Sequence, residues 1–382
     1  MPWREVDTMT LRREFVLLAQ REDGNISQLC KFFGISRKTA YKWLGRFQIS
    51  GDEGLCDRSR RPFSSPFKTD EAVEDAVVAL RSLRPAWGGR KLKTRLENLG
   101  HDKVPAASTI TAILRRHGLI DPAESAKHKA FISFEHPHPN ALWQMDFKGH
   151  FPMYKGRCHP LTIVDDHSRF NIVLQACVNE RTETVQAAMI NGFRRYGLPD
   201  RMTMDNGSPW GSNAQHDLTP LTAWLIRLGI RVSHSRPYHP QTQGKDERFH
   251  RTLNLELLSR RQFHDLEECQ RGFDEFRTIY NIERPHEALA MAAPVTRYQV
   301  SSRPYPEFLP AIEYNAADHV RKVQAEGEIS FKGHTVRVSK GLRGYPVAIR
   351  PTISDGVYSI YFCHQKLKDI DLKTVTHVPE QL

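Results

Sequence analysis

The spacing of apolar residues predicts two groups of three short helices in the first 120 residues. Residues 8–47 form the first group, in which Gly34 breaks the chain and Ser36 is a good N-cap for the third helix. Residues 70–120 form the second group, whose last helix is expected over residues 108–117. Two helices joined by a short turn that contains glycine have the helix-turn-helix layout. A plain helical bundle with a basic face is the alternative for each group.

The pattern becomes alternating strand and helix from residue 141 onward. Strands are expected over residues 142–148, 159–166, 170–177, 201–205 and 230–234, and helices over 182–196, 219–228, 243–261 and 267–280. Three consecutive strands followed by alternating helix and strand predict a mixed sheet with helices on its faces. Short strands between residues 328 and 371, separated by glycine turns, predict a small β-barrel.

These patterns divide the chain into seven segments. They are a first helix-turn-helix domain (1–50), a basic linker (51–69), a second helix-turn-helix domain (70–120), a connector (121–140), an α/β core (141–300), a linker (301–327) and the small β-barrel (328–382). The predicted fold class is therefore multidomain, with all-α N-terminal units, a central α/β core and an all-β C-terminal domain.

The charge of the chain favours a polyanionic partner. The formal net charge is +11 and the pI is about 9.4, which is typical of proteins that bind nucleic acid. The six cysteines contain no C-x-x-C pair, which indicates a reducing compartment and argues against a zinc module. The mean hydropathy is -0.54 and no apolar run approaches the roughly 20 residues of a membrane span. The first residues lack the layout of a signal peptide, so we expect a cytoplasmic protein without a membrane partner.

Basic and polar side chains on the helices expected to read DNA are candidates for contacts with phosphates and base edges. The candidates on the first unit are Arg37, Lys38, Thr39, Tyr41 and Lys42. The candidates on the second unit are Arg90, Lys91, Ser108, Thr109, Thr111, Arg115 and Arg116. Between the units, Arg58, Arg60 and Arg61 lie in an extended basic arm that either tracks a minor groove or is a solvated spacer.

Three carboxylates occupy positions from which they can converge. Asp146 lies in an apolar, strand-like run, Asp205 ends a predicted strand, and Glu247 lies on the first turn of a predicted helix. Three acids without paired cysteine or histidine favour a hard, oxygen-binding cation such as Mg²⁺, with Mn²⁺ as a substitute. Two such ions can activate the attacking oxygen and stabilise the leaving oxygen of a phosphodiester. No phosphate-binding glycine motif is present, so no nucleotide cofactor is expected.

Four sequence motifs occur in the order found in one known family. They are WQMD at residues 143–146, DNGS at 205–208, HPQTQGKDE at 239–247, and YN at 280–281 with RPHEAL at 284–289. This series resembles the retroviral-integrase-type core of bacterial insertion-sequence transposases with a DDE active site. The resemblance implies an RNase H-like fold, two metal ions, and Asp146, Asp205 and Glu247 as both catalytic residues and metal ligands.

The distance between the second and third acids leaves alternatives for the third. Asp205 and Glu247 are separated by 41 residues, more than in many relatives, and Asp246 and Glu256 are the alternatives to Glu247. Asp165 and Asp166 are expected to be structural residues of a turn. Side chains expected to line a DNA channel in the core are Asn206, His239, Gln243, Lys245, Arg248 and Arg251.

The resemblance implies a DNA transposase that acts in the bacterial cytoplasm, in association with the nucleoid. It would bind the terminal repeats of an insertion sequence, cleave a phosphodiester to free a 3′-OH, and join that end to target DNA. Its partners would be double-stranded DNA and further copies of the chain, as a homodimer or a larger synaptic complex. The alternatives are a catalytically inactive DNA-binding regulator and an RNase H-like nuclease without strand transfer.

Overall fold

The computed structural model describes residues 7–58, 69–121, 135–211, 217–234 and 244–374. The chain divides into two compact units, Met1–Lys68 and Thr69–Leu382. None of the described helices is both long enough and apolar enough to cross a bilayer.

The first unit contains the three predicted helices, α1 (Thr8–Ala19), α2 (Ile26–Phe32) and α3 (Arg37–Ser50). Ser36 caps α3 as predicted, because its side chain accepts a hydrogen bond from the backbone N–H of Thr39. The core of this unit also includes Trp43, whose indole ring is buried beneath the guanidinium of Arg12 and which the sequence pattern did not place inside.

The second unit begins with α4 (Glu71–Leu83), α5 (Gly89–Asn98) and α6 (Ala107–Arg116). These helices pack around a core that contains Val77, Trp87, Leu92, Leu96, Ile110, Ile113 and Leu114. Gly89 is needed where α5 meets α6, because a Cβ there would lie 2.4 Å from the carbonyl oxygen of Ala107.

A mixed sheet forms the centre of the second unit. Its strands are β1 (Trp143–Phe147), β2 (Phe151–Pro152), β3 (Arg157–Asp165), β4 (Asn171–Cys177), β5 (Arg201–Met204) and β6 (Arg231–His234). The order across the sheet is β4-β3-β1-β5-β6, and β2 pairs with the start of β3. The first three of these neighbours are antiparallel, whereas β5 runs parallel to both β1 and β6. The predicted mixed sheet with an RNase H-like arrangement is confirmed.

Helices cover both faces of this sheet. They are α7 (Thr182–Tyr196), α8 (Pro220–Arg227), α9 (Gly244–Leu253) and α10 (Leu266–Thr278), and the last two continue as π-helical turns over Asn254–Leu258 and Ile279–Glu283. Successive residues of β3 point to opposite faces. Leu161 and Ile163 therefore join a core that includes Phe193 of α7, and Val164 joins one that includes Phe249 of α9 and Phe273 of α10.

The C-terminal part contains antiparallel strands, as expected, but the small β-barrel is not confirmed. Strands β7 (His319–Lys322), β10 (Pro346–Pro351), β11 (Val357–Phe362) and β12 (Gln365–Asp371) form an open sheet in the order β12-β11-β10-β7. Strands β8 (Glu328–Phe331) and β9 (His334–Arg337) form a separate hairpin. Within residues 317–374, no pairing joins the two outer strands of the open sheet.

Strand β7 corrects the prediction that residues 301–327 are a linker. All four of its residues are exposed, so the strand has no apolar periodicity by which the sequence could reveal it. It exists because its backbone pairs with β10.

Candidate active site

The acid cluster, defined here as Asp146, Asp205 and Glu247, draws on three elements of the core. Asp146 lies near the end of β1, and Asp205 directly follows β5, the parallel neighbour of β1. Trp143 pairs with Met202 and Gln144 with Thr203. Continuing this register by two residues places Asp146 beside Asp205. The ends of parallel strands meet at one edge of a sheet, which explains why two strand-end acids of distant sequence positions are neighbours.

The carboxylate of Asp205 is held in place by its own loop. Its Oδ1 accepts hydrogen bonds from the backbone N–H of Gly207, at 3.0 Å, and from the indole N–H of Trp210. The Trp210 ring is buried and stacks on Phe147, the residue after Asp146, with ring centroids 5.3 Å apart. The loop after β5 therefore packs against the end of β1 and fixes both acids relative to each other.

The charges of the other two acids affect the pKa of Asp146. The pKa of Asp146 is raised to about 7, chiefly because its carboxyl group is partly buried and next because the charge of Asp205 is close. Glu180 and Glu247 add smaller increases, and a backbone hydrogen bond from Phe147 opposes them. Glu247 itself is exposed on the first turn of α9.

The described part of the chain holds no ready-made metal site. Within it, no group of three or more histidine, cysteine, aspartate or glutamate side chains is arranged to hold a metal ion. The charges of Asp205 and Glu247 raise the pKa of Asp146. The three side chains are nevertheless not arranged around a single metal position.

The alternative third acids occupy different environments. Asp246 is fully buried and accepts a hydrogen bond from the Thr162 hydroxyl, 3.0 Å away, and burial raises its pKa well above the usual value. Glu256 forms a buried ion pair with Arg284, at 2.9 Å, and accepts a hydrogen bond from the Trp87 indole at 3.2 Å. Glu247 is thus the acid of this helix that faces solvent beside Asp146.

Sequence reasoning missed two polar residues beneath the acid cluster. The Oγ1 of Thr162 lies 3.0 Å from the carbonyl oxygen of Asp146 and 2.8 Å from Nε2 of His250, in addition to its contact with Asp246. Burial, followed by the charge of Lys148, lowers the pKa of His250 to about 4. No sequence signal indicates this group, because its members are distant in the chain and meet only when α9 packs on β3.

Asp165 and Asp166 have the structural role that was expected of them. Asp165 accepts hydrogen bonds from the backbone N–H groups of Asn140, at 2.7 Å, and Ser168, at 2.8 Å. Asp166 accepts from the backbone of His136 and the side chain of Gln144, each at 2.8 Å. Both carboxylates hold the turn after β3 in place.

The candidate DNA-binding residues of the first unit lie mostly on its surface. Exposed members are Arg37, Lys38, Tyr41, Lys42 and Arg58. Thr39 is half-buried, and its hydroxyl contacts that of Ser36 at 2.9 Å. Arg60 and Arg61 lie outside the described residues.

The candidates of the second unit divide into exposed and engaged side chains. Arg90, Ser108, Thr109 and Arg115 are exposed. Arg116 forms an ion pair with Glu74, and the hydroxyl of Thr111 donates to the carbonyl of Ala107 at 2.8 Å. Lys91 is half-buried, and burial, followed by the charge of Arg284, lowers its pKa to about 8.

Of the candidates in the core, Asn206, Arg248 and Arg251 are exposed, and His239 and Gln243 lie outside the described residues. Lys245 instead forms an ion pair with Asp166, which is nearly fully buried. The ammonium group of Lys245 therefore neutralises a buried carboxylate, and the structure does not place it as a free phosphate ligand.

Most of the described helices and strands lie in segments that match known protein families. Two models of the integrase core domain match residues 136–240 and 228–294. The C-terminal domain of the IS481 family transposases matches residues 318–377. A helix-turn-helix domain matches residues 11–63, and a homeodomain-like domain matches residues 39–114.

Two curated proteins resemble shorter stretches of the chain. The Gag-Pro-Pol polyprotein of squirrel monkey retrovirus is 34% identical over 120 residues, which are 31% of this chain and 6% of the polyprotein. Protein YlbG of Escherichia coli strain K12 is 34% identical over 79 residues, which are 21% of this chain and 64% of YlbG. The chain thus covers less than two thirds of either relative.

Three solved structures of retroviral proteins show limited similarity to this structure. An intasome of simian T-cell lymphotropic virus in complex with PP2A regulatory subunit B56 gamma covers 77% of this chain and 99% of its own, with 16% identity and a TM-score of 0.37. The HTLV-2 integrase catalytic core in complex with magnesium, in a trimeric form, covers 42% and 98%, with 17% identity and a TM-score of 0.33. The BIV integrase catalytic core covers 42% and 93%, with 22% identity and a TM-score of 0.32.

The integrase-core matches and the mixed sheet define the class of the central domain, which is that of the polynucleotidyl transferase superfamily. Helix-turn-helix segments precede this domain, and an IS481-type domain follows it. Together these matches indicate a transposase of the IS481 family with a retroviral-integrase-like core.

Proposed function

We propose that the protein is a DNA transposase that cleaves the ends of its insertion sequence to free a 3′-OH and joins that end to target DNA. The observation that carries this proposal is the parallel register of β1 and β5, which sets Asp146 beside Asp205 at one edge of the sheet. Burial and the charges of Asp205, Glu180 and Glu247, in that order, raise the pKa of Asp146 to about 7. Acids that repel one another at the edge of an integrase-type sheet are suited to a cationic cofactor, since a bound cation removes the repulsion.

The donor set fits divalent metal by its chemistry. Three carboxylates with no cysteine or histidine among them match the preference of Mg²⁺ for oxygen ligands, and Mn²⁺ has a similar preference. Asp146, Asp205 and Glu247 would hold the ions, and the exposed Glu247 side chain is the one free to turn toward the other two. Two ions so held would polarise the phosphodiester and lower the pKa of the attacking oxygen.

The surrounding residues serve the reaction by position and charge. The loop of Trp210 and Gly207 keeps the Asp205 carboxylate fixed at the sheet edge. Arg248 and Arg251 lie exposed on the helix that carries Glu247 and are suited to contact DNA phosphates beside the scissile bond. The helix-turn-helix domains supply end recognition, and two ends require two or more copies of the chain in a synaptic complex.

The test is a cleavage and joining assay with Mg²⁺ on duplexes that carry the element's terminal repeats. Asp146→Asn, Asp205→Asn and Glu247→Gln should each lower cleavage by at least about a thousandfold while end binding persists. Glu183→Gln is the matched control, because Glu183 is also an exposed glutamate on the first turn of a core helix.

Each alternative function has its own outcome in this assay. A wild-type protein that binds the ends but never cleaves them would be a DNA-binding regulator. A protein that cleaves yet fails to join pre-cut ends would be a nuclease without strand transfer. Full activity in all three acid variants would refute the assignment of the acid cluster.

A further inference from the structure

A basic cleft lies at the free edge of the central sheet, between β6 and the C-terminal sheet. Its volume is about 350 Å³, and its lining includes Arg201, Arg231, His364, Gln365 and Lys366. We propose that this basic cleft is a second DNA-binding site, which holds the phosphodiester backbone of DNA at a distance from the acid cluster. The inference rests on the proposed function, since it takes the ligand to be the DNA on which the protein acts.

Two arginines stand side by side in the basic cleft. Arg201 begins β5 and Arg231 begins β6, and the two are direct partners in the parallel register. Neighbouring strands lie about 4.8 Å apart, and like charges at partner positions destabilise a sheet. Both side chains are exposed, and neither forms an ion pair with a residue in the described ranges. A phosphate between the two guanidinium groups would turn this repulsion into two charge-assisted hydrogen bonds.

The nearby acids do not neutralise this pair. Asp200 lies 3.5 Å from the guanidinium of Arg303, and Asp369 lies 2.8 Å from the ammonium of Lys366. Positive charge predominates in the basic cleft, and Arg231 and Arg303 lie near enough to His364 to lower its pKa in addition to the effect of partial burial. The cleft thus attracts anions more strongly than the average surface of this already basic protein.

The side chain of Gln365 gives the basic cleft a fixed shape. Its amide exchanges two hydrogen bonds with the backbone of Val232, at 3.0 and 3.1 Å, as a neighbouring strand would. This contact blocks part of the edge of β6 and so disfavours pairing with a strand from another protein. It also holds Lys366, the next residue, beside the two arginines.

The basic cleft and the acid cluster lie at opposite ends of the same strand. Arg201 starts β5 and Asp205 follows its end, so at about 3.3 Å per residue the two backbone positions are roughly 13 Å apart. A DNA duplex of only a few base pairs already spans this distance. One duplex, or the two DNAs of a joining reaction, can therefore contact both places, and the contacts in the cleft would be to phosphates and independent of sequence.

The salt dependence of DNA binding tests this proposal. The full-length double variant Arg201→Ala/Arg231→Ala is compared with wild type by fluorescence anisotropy on a 40-base-pair duplex that carries a terminal repeat, in EDTA. Loss of one or two phosphate contacts should lower the slope of log K against log salt by about 0.9 to 1.8 and weaken binding roughly tenfold at moderate salt. The control Arg194→Ala/Arg195→Ala removes the same charge from exposed positions on α7.

The results separate this inference from the proposed function. A slope equal to that of the control overturns the inference, as does a double variant that keeps its DNA slope but loses self-association, which would make the cleft a protein interface. Thermal melts of both double variants verify folding, and Arg201→Lys/Arg231→Lys, which keeps the charge, should retain most of the slope. If the double variant shows the expected change in slope but wild type never cleaves DNA with Mg²⁺, the second DNA site stands and the transposase proposal fails.

Discussion

At the residue scale, Thr162 links the elements that carry the acids. Its side chain is fully buried, and its single hydroxyl contacts the Asp146 carbonyl, the Asp246 carboxyl and the His250 ring. This hydroxyl is therefore one of the contacts between the sheet that carries Asp146 and the helix that carries Glu247. We expect it to help fix the position of Glu247 relative to Asp146.

We expect Thr162→Val to destabilise the protein by about 1–3 kcal/mol, because the polar partners stay buried without the hydroxyl. Thr162→Ser should retain most of the stability. Urea unfolding measures both effects, and hydrogen exchange of α9 should be faster in the valine variant. Thr203→Val is the control, since Thr203 is also buried in the sheet but has its hydroxyl contact with Ser233 alone at 2.7 Å. Equal losses in the two valine variants would contradict the role of Thr162.

The pKa of Asp146 makes stability depend on pH. In the folded protein this pKa is about 7, above the ordinary value of 3.8, so between those values the folded state holds a proton that the unfolded state releases. Stability without metal should therefore fall as pH rises from about 4 to 7. Asp146→Asn removes this effect. The free energy of unfolding of the variant, relative to that of wild type, should therefore increase by on the order of a few kcal/mol from pH 4 to pH 8.

Thermal melts in EDTA at pH 5 and pH 8 measure this difference. Added Mg²⁺ should stabilise wild type more at pH 8 than at pH 5, because the ion requires the ionised carboxylate. A gain from Asp146→Asn that is the same at both pH values would show that the carboxyl group does not titrate in this range.

A site residue can be predicted from the sequence when the pattern that marks it lies in its own neighbourhood along the chain. Asp146 and Asp205 could be predicted because each ends an apolar run, and their neighbourhood follows from parallel strands. The contact between Thr162 and His250 could not be predicted, because the two residues are 88 positions apart and meet only when α9 packs on the sheet. Lys245 was expected at DNA for its charge, and the buried Asp166 that engages it is likewise distant in the sequence.

At the element scale, the π-helical turn after α9 (Asn254–Leu258) contacts the chain segment of helices α4–α6. It presents Glu256 to two partners from other elements, the Trp87 indole at 3.2 Å and the Arg284 guanidinium at 2.9 Å. Next to this contact, Glu283 lies 3.0 Å from Arg95 of α5. Helices α4–α6 thus contact the π-helical continuation of α9, the helix that carries Glu247.

Glu256→Ala should destabilise the protein by about 3–5 kcal/mol, because it leaves the buried guanidinium of Arg284 without a counter-charge. The control is Glu267→Ala, which breaks the exposed pair with Arg271 and should cost no more than about 1 kcal/mol. Urea unfolding of the two variants gives the comparison. Similar losses in both would mean that the buried pair contributes no more than a surface pair.

The helices and strands of the core were largely predictable, and α7 has the predicted bounds of Thr182–Tyr196. The short strands expected between residues 328 and 371 include β10 at Pro346–Pro351, which has an apolar side. The exposed edge strand β7 and the openness of the C-terminal sheet were not. Strand pairing and closure depend on contacts between distant segments, and alternation within one strand carries no information about them.

At the scale of the whole molecule, helix α3 and the acid cluster lie in different units. The first unit, Met1–Lys68, bears exposed basic and aromatic residues on α3, whereas the acid cluster belongs to the second unit, Thr69–Leu382. A helix-turn-helix domain matches residues 11–63 and the integrase core matches residues 136–294, whereas the homeodomain-like match over residues 39–114 includes residues of both units. End binding and cleavage should therefore be separable by mutation.

The double variant Lys38→Ala/Tyr41→Ala should weaken binding to terminal-repeat DNA several-fold and leave the unfolding free energy within about 0.5 kcal/mol of wild type, since both side chains are exposed. Single-turnover cleavage at saturating DNA should stay near the wild-type rate. Glu247→Gln should give the opposite result, with binding retained and cleavage lost. Anisotropy and gel-based cleavage on one duplex measure both quantities.

Arg21→Ala is the matched control for the double variant, because it removes one positive charge from an exposed position of the same unit outside α3. If it weakened binding as much as Lys38→Ala/Tyr41→Ala, the effect would reflect the net charge of the unit and not recognition by α3. If the double variant instead lost cleavage at saturating DNA, α3 would contribute to the arrangement of the acid cluster. Recognition and chemistry would then be coupled, and the separation of the two units would not extend to function.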